Sequence, residues 1–179
     1  MIRIAAAALC AITLIACAPD QTAERCDLTS EHEARFTGAE APDIVEARTF
    51  GPNCGAAVAV MSVRSGEGHA IYAWAAPLHP TFGPNFAPRG EGGPQLEEVQ
   101  GFLDRWSNAR IGQTSGAPAW SETLDTHLDE PTYNDLRTRN APMLCFLSAV
   151  AEETCLYWES AAAAAAVLYR TPAVERAAD

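Results

Sequence analysis

The sequence Ala56-Ala-Val-Ala-Val-Met-Ser-Val-Arg64 leads into the turn sequence Ser65-Gly66-Glu67-Gly68, which is followed by His69-Ala-Ile-Tyr-Ala-Trp-Ala-Ala-Pro-Leu78. Two runs rich in β-branched and aromatic residues on either side of a glycine-containing turn predict a β-hairpin. Apolar side chains occupy both alternating sets of positions in each run. We therefore expect a hairpin at the centre of the fold that is covered on both faces.

The segments next to this hairpin predict a further strand, a long loop and a helix. The strand is expected at residues 44–50. The proline- and glycine-rich residues 79–94 predict a loop whose length is typical of a functional segment or a mobile cover. Residues 94–111 are expected to form an amphipathic helix, with Gly93 as its cap and Gly112 as its end. The apolar residues of this helix recur at three- and four-residue steps: Leu96, Val99, Leu103 and Trp106.

The C-terminal part of the chain predicts a second helix and leaves one segment open. Residues 114–130 read as irregular, residues 131–139 as a helix, and Asn140 as its left-handed end. Residues 143–170 fit either three strands or one helix, because aromatic residues favour strands while the six alanines of residues 161–166 favour a helix. We favour the strands, with the alanine run as a connection.

The N-terminus has the pattern of a secretory signal peptide. Arg3 supplies a positive charge, residues 4–15 are almost wholly apolar, and the chain turns polar after Cys17. The apolar run is shorter than the roughly 20 residues that a membrane-spanning helix needs. The alternative interpretation is a buried N-terminal helix.

The end of this segment, Leu14-Ile15-Ala16-Cys17, resembles the lipobox of bacterial lipoproteins. This resemblance, which covers only the first twenty residues, implies that Cys17 is lipidated and becomes the first residue of the mature protein. Several acyl chains on one residue would give stable membrane anchoring. Because Ala18 rather than aspartate follows, the resemblance also implies the periplasmic face of the outer membrane rather than the inner membrane.

The cysteine count predicts two disulfides. Cys10 lies inside the signal peptide, and four cysteines remain after Cys17; an even number in an exported domain is typical of disulfides. Three pairings are possible, and we favour Cys26–Cys54 and Cys145–Cys155 because each closes a modest loop. A metal site or a catalytic thiol is the alternative, but no CxxC or histidine-rich spacing supports a metal.

The favoured pairing depends on the strand prediction. If residues 143–170 formed one helix, Cys145 and Cys155 would lie about 15 Å apart along it. A disulfide needs Cα atoms within about 7 Å. The expected fold is therefore α+β, a small antiparallel sheet with one or two packed helices and two disulfides. The chain is expected to divide into residues 1–16 (signal peptide), 17–42 (lipidated cysteine and flexible tether), 43–172 (one periplasmic domain) and 173–179 (polar tail).

Composition and motifs exclude several function classes. The net charge is −11 and all twelve basic residues are arginine, which excludes Schiff-base lysine chemistry and argues against nucleic-acid binding. The four histidines show no metal-binding spacing: His32, His69, His79 and His127. The chain also lacks a G-x-S-x-G motif. We therefore predict no catalytic residue, no metal and no cofactor.

The remaining candidates for binding are aromatic residues in the predicted loops. Phe82, Phe86 and Trp120, with Arg89 beside them, have the composition of interface hot spots, although the rings could instead pin the loops to the domain. We expect a lipid-anchored, non-catalytic interaction module with an envelope protein as its partner. The alternative function is a small-ligand-binding protein or hydrolase with a site under residues 79–94.

Overall fold

The computed structural model describes residues 25–89 and 93–172, and the predicted signal peptide, Cys17 and the tail at 173–179 lie outside these ranges. Within them the chain forms two four-stranded antiparallel sheets, in the orders β1-β2-β3-β4 and β5-β6-β7-β8. The strands are β1 (Thr29–Ala34), β2 (Asp43–Phe50), β3 (Val58–Arg64), β4 (Ala70–Pro77), β5 (Arg110–Gln113), β6 (Pro142–Ala149), β7 (Glu152–Glu159) and β8 (Ala164–Pro172). The α-helices are α1 (Leu78–Phe82), α2 (Leu96–Ser107) and α3 (Glu130–Arg139). The predicted α+β fold with antiparallel strands, packed helices and two disulfides is confirmed, with the strands divided between two sheets.

The predicted hairpin is β3 and β4 in the first sheet. Met61 lies opposite Trp74 on one side and opposite Ala47 of β2 on the other. Ala59, Met61 and Val63 are buried, whereas Val58, on the opposite face of the strand, is 40% exposed. The expectation that both faces are covered is therefore wrong, because α2 packs against one face of this sheet only.

Asp43, the first residue of β2, joins two turns at one end of the first sheet. Its buried carboxylate accepts hydrogen bonds from the backbone N–H groups of Phe36 and Thr37, at 2.8 and 2.7 Å, and from the Thr37 hydroxyl at 2.8 Å. The backbone N–H of Gly66, in the β3–β4 turn, donates to the same carboxylate at 3.3 Å. One side chain thus holds both the β1–β2 connection and the β3–β4 turn in place.

The ordered domain begins earlier than the sequence predicts. Residues 29–34 form β1, which pairs with β2 along its whole length, from Thr29 opposite Arg48 to Ala34 opposite Asp43. Cys26 is buried and bonded to Cys54. The predicted tether of residues 17–42 therefore has to be shortened, because pairing with β2 and the disulfide fix its second half on the domain.

The C-terminal segment forms strands, as favoured, and the helix alternative is wrong. β6, β7 and β8 form a meander in which Cys145 lies opposite Cys155 and the two are bonded. The alanine run is split: residues 161–163 form the turn, where Ala163 has φ of 48°, and residues 164–166 begin β8. Cross-strand pairing, as of Tyr157 with Ala166, overrides the helix propensity of alanine.

Both predicted helices are present, and both boundaries of α2 are corrected. α2 begins with a capping box, in which Gln95 and Glu98 satisfy each other's backbone N–H groups, rather than at Gly93. It ends at Ser107, because Ile111 and Gly112 belong to β5 and pair with β6. α3 is capped by Asp129, whose side chain accepts from the Thr132 N–H. Asn140 ends it in the left-handed conformation, as predicted.

The second sheet separates two buried clusters among the described residues. The larger one lies between the first sheet, α1, α2 and one face of the second sheet, with Phe146 and Leu156 contributed by that face. The smaller one lies between the other face, α3 and residues 117–128, with Tyr133 fully buried at its centre. Within the described ranges, no helix combines the length and hydrophobicity needed to cross a membrane.

Candidate functional site

The predicted loop at residues 79–94 contains regular structure. α1 occupies residues 78–82, and a 3-10 helix follows at Pro84–Phe86. Gly83 joins them with φ of 90°, a conformation that glycine adopts without strain, and its N–H donates to the carbonyl of His79. The expectation of a wholly irregular loop is corrected on this point. Aromatic packing between this segment and α2 explains why it adopts regular structure.

Phe82 and Phe86 attach this segment to the core. The ring of Phe82 lies 4.8 Å from that of Phe102 and 5.2 Å from that of Trp106, measured between centroids. The ring of Phe86 lies 5.0 Å from Phe102. Phe82 is 5% and Phe86 9% exposed, so both rings are buried and a binding role for them stays a prediction. The alternative interpretation, that the rings pin the loop, accounts for the packing of both.

A groove of about 450 Å³ lies between the 3-10 helix and α2. It is lined by Asn85, Phe86, Arg89, Glu97, Glu98, Gly101 and Arg105. Two of the predicted binding residues, Phe86 and Arg89, therefore meet at one site. This groove lies beside the segment that the sequence singled out, and we refer to it as the charged groove.

Arg89 and Glu98 form one rim of the charged groove. Arg89 Nη1 lies 3.5 Å from Glu98 Oε2, and Arg89 Nη2 donates to the backbone carbonyl of Asn85 at 3.1 Å. Glu98 Oε2 also accepts the backbone N–H of Gln95 at 3.2 Å. These two side chains are thus engaged in holding the 3-10 helix and the start of α2 in place.

Glu97, Gly101 and Arg105 form the helical wall of the charged groove. They recur every four residues, so they lie on one face of α2. Glu97 and Arg105 are exposed, and no ion pair to either is found within the described residues. The Cα atoms of Glu97 and Arg105 lie two helical turns, about 12 Å, apart along the axis. The Arg105 side chain extends back toward Gly101, so its guanidinium lies against the middle of this wall.

Gly101 leaves room for the Arg105 side chain in the middle of this wall. A Cβ atom at this position would lie 3.5 Å from Arg105 Nη1, within ordinary contact distance. A side chain larger than that of alanine would therefore displace the guanidinium. Glycine in a helix interior costs about 0.5–1 kcal/mol relative to alanine, so its presence requires a compensating reason. Room for the Arg105 guanidinium at the groove wall is one such reason.

Trp120 lies away from the charged groove. Its ring packs in the smaller buried cluster with Leu124 and Leu128, and its Nε1–H donates to the carbonyl of Leu128 at 3.4 Å. The structure therefore does not bring Trp120 together with Phe86 and Arg89. Its position is explained by packing of residues 117–128 against the second sheet.

A second cluster of polar groups surrounds the Cys145–Cys155 disulfide. Glu153 lies beside both sulfurs, and Arg110 Nη2 contacts Glu153 Oε2 at 2.6 Å. The hydrogen bond to Glu153 raises the pKa of the Arg110 guanidinium. Among the described residues, Cys145, Glu153 and Cys155 form a group whose atoms lie close enough to hold a metal ion. The two sulfurs are bonded to each other, however, so they are not thiolate ligands.

Sequence reasoning missed Glu97 and Arg105 as site residues. Both are charged residues at positions that predict the exposed side of an amphipathic helix, and this is where they lie. The available signal was Gly101, an unfavourable residue at the centre of a helix face that carries opposite charges four residues to either side. In the structure the Arg105 side chain extends back over this glycine.

Comparison with known proteins adds no relative: no protein-family model matches the chain, and neither a curated protein nor a solved structure shows significant similarity to it.

Proposed function

We propose that this chain is a lipid-anchored protein of the bacterial envelope whose periplasmic domain binds a partner protein without catalysing a reaction. Cys17 carries the anchor, on the periplasmic face of the outer membrane. The partner contributes an exposed segment that carries both an anionic and a cationic group. The observation that carries this proposal is the charged groove, in which Glu97 and Arg105 stand at opposite ends of one helix face.

The chemistry of the charged groove favours a protein segment over a small molecule. Small-molecule sites are mostly apolar and bury most of the ligand. Here four of the seven lining residues are charged, and the Arg89 and Glu98 side chains are each about half exposed. Exposed charges of both signs set the orientation and speed of encounter with a partner. Phe86 supplies an apolar surface between them.

The disulfides support export of the domain. Structural disulfides persist in oxidising compartments such as the bacterial periplasm. Cys26 pairs with Cys54 and Cys145 pairs with Cys155, so the mature domain uses these four cysteines for its own stability. Cys17 remains for the lipid at the start of the mature chain. The net charge of −11 further favours a partner surface that is positively charged overall.

Cross-linking capture from native envelopes, followed by mass spectrometry, tests the binding proposal. The anchored wild-type chain should capture one stoichiometric partner, and Arg105→Glu should lose it. Arg139→Glu is the matched control, because it makes the same change in charge at an exposed position of α3. Equal capture by the wild type and Arg105→Glu would contradict the assignment of the charged groove.

The anchor is tested separately by mass and fractionation. The mature wild-type protein should begin at Cys17, carry the mass of the acyl groups and sediment with membranes. Cys17→Ser should lack that mass and stay out of the membrane fraction. A Cys17→Ser protein that still sediments with membranes at unchanged mass would contradict the anchor.

A further inference from the structure

Within residues 25–89 and 93–172, the face of the first sheet opposite α2 is largely exposed, and one end of that face is apolar. Phe50 lies opposite Val58, which lies opposite Pro77, and Val60 lies opposite Ala75 one pair further along. These five residues define the outer patch. Phe50 is 43% exposed and Val58 is 40% exposed, an unusual exposure for two large apolar side chains that are direct neighbours. The other end of the face carries Arg64 with Glu31 and Glu46 in ion pairs.

The chain enters the domain beside the outer patch. Cys26 is bonded to Cys54, which lies four residues after Phe50 and four before Val58. The backbone N–H of Cys26 also donates to the carbonyl of Gly51, the residue next to Phe50, at 3.0 Å. The N-terminal segment is therefore fixed by two bonds at the same end of the sheet as the patch.

The distance from the anchor to this point is short. Eight residues separate Cys17 from Cys26, so the two Cα atoms lie at most about 30 Å apart even if the segment is fully extended. We propose that the outer patch rests on the bilayer surface that holds the lipid of Cys17, as a second and direct contact between the domain and lipid. This inference rests on the anchor in the proposed function.

The side chains of the patch suit the interface of a bilayer. Phenylalanine is among the apolar side chains that interfacial helices bury at the boundary between headgroups and acyl chains. The guanidinium of Arg48 lies 4.7 Å from the centroid of the Phe50 ring, so an arginine is already placed over the ring. Arginine side chains bury their stems in apolar surroundings and keep the charged end at the polar surface. Here Arg48 Nε also lies 3.1 Å from Glu46 Oε1, so the charge of the guanidinium is balanced within the domain.

The anchor makes such a small patch sufficient. Two exposed side chains would not hold a free protein on a membrane, but a short tether converts their contact into an intramolecular one at high effective concentration. The ion-paired half of the same sheet face sets the limit of the contact, because charged groups resist transfer into the apolar layer. Docking in this way would fix which side of the domain faces the periplasm.

Photo-cross-linking to lipid tests the inference on the full mature chain. The lipidated protein is reconstituted in vesicles of phosphatidylethanolamine and phosphatidylglycerol that contain a lipid with a photoreactive diazirine near the headgroup. After irradiation, mass spectrometry locates the adducts. We expect them on the peptides around Phe50 and Val58. The double substitution Phe50→Ser with Val58→Ser should lower their yield about tenfold, since it removes the apolar contact area.

The matched control is Ile111→Ser in β5 of the second sheet, an apolar side chain of similar exposure, 39%, which should leave the adducts unchanged. Lipid adducts spread over the whole domain, or cross-links from the patch to a second copy of the chain, would overturn the inference. If the protein carries the Cys17 lipid but shows no adducts at the outer patch, the docking is contradicted and the anchor is not. A protein that lacks the Cys17 lipid by mass contradicts the proposed function, and the docking with it.

Discussion

Cys145 on β6 lies directly opposite Cys155 on β7, with their Cα atoms 4.1 Å apart and their sulfurs bonded. The disulfide thus joins two strands that are already neighbours in a hairpin. It fixes their register, because a slip of one residue would point one of the two sulfurs to the opposite face of the sheet. The second disulfide, Cys26–Cys54, instead joins segments 28 residues apart in sequence.

Removal of the two disulfides should therefore cost different amounts of stability. The loss of loop-closure entropy predicts that Cys145→Ala with Cys155→Ala lowers the free energy of unfolding by about 2.8 kcal/mol, for a separation of 10 residues. The corresponding Cys26→Ala and Cys54→Ala variant should lose about 3.6 kcal/mol, for a separation of 28. Denaturant unfolding of both double variants measures the difference; a larger loss for the shorter loop would contradict the entropic argument.

Asp43→Asn should destabilise the domain by about 2–3 kcal/mol, because it replaces a buried charged acceptor of several hydrogen bonds. The amide group would also turn one N–H donor toward donors of the backbone. The control is Asp135→Asn on α3, where the exposed ion pair with Arg139 predicts a loss of less than about 1 kcal/mol. Thermal unfolding of the two variants side by side tests the prediction, and equal losses would contradict it.

Gly101→Ala should stabilise the protein and weaken partner capture. Alanine in a helix interior is favoured over glycine by about 0.5–1 kcal/mol, and the new methyl group meets Arg105 only at ordinary contact distance. The same methyl group would line the charged groove directly beside the Arg105 guanidinium and narrow it there. Unfolding in denaturant measures the stability, and cross-linking measures the capture of the partner. A variant that is more stable but captures the partner as well as the wild type would show that Gly101 is not part of the binding site.

Stability should fall at high pH through Tyr133. Burial raises the pKa of its phenol from 10.0 to about 12, and its hydroxyl donates to the carbonyl of Pro118 at 3.1 Å. The folded state holds this proton more tightly than the unfolded state. The contribution of Tyr133 to the free energy of unfolding is therefore complete below pH 10.0 and is lost as the pH rises toward about 12.

Tyr133→Phe removes this titration and provides the test. The variant lacks the hydrogen bond to Pro118, so its free energy of unfolding at neutral pH should be about 1 kcal/mol lower than that of the wild type. Its stability should then decline less steeply than that of the wild type between pH 10 and 12. Other buried tyrosines, such as Tyr169, also have raised pKa values, so the decline should become shallower rather than vanish. Parallel slopes for the two proteins would exclude Tyr133 as the cause.

Local patterns predicted the parts of the fold that depend on neighbours in sequence. The β3–β4 hairpin follows from two runs of β-branched and aromatic residues around a glycine-containing turn, and the left-handed end of α3 follows from Asn140. β5 escaped prediction because its four residues gain strand character from β6, which lies some thirty residues later in the chain. β1 was missed for a similar reason, since pairing with β2 orders a polar segment that is mostly exposed.

The candidate site was predicted in part. The composition of residues 79–94 pointed to Phe82, Phe86 and Arg89; the last two line the groove, whereas Phe82 does not. Sequence cannot separate the two phenylalanines, because both rings are buried against Phe102 and only their positions relative to the groove differ. Glu97 and Arg105 were visible as helix-surface charges. The 3-10 helix opposite them is what turns that surface into a groove.

The Cys26–Cys54 bond has a mechanical consequence. A pull on the N-terminus enters the domain at Cys26, and the disulfide transmits that force directly to Cys54, beyond β1 and β2 in the chain. Without the bond, the same force would peel the edge strand β1 from β2, opening one residue pair after another from Thr29. The covalent link thus removes β1 from the load path, and tension on the tether is borne by a chemical bond rather than by a row of hydrogen bonds.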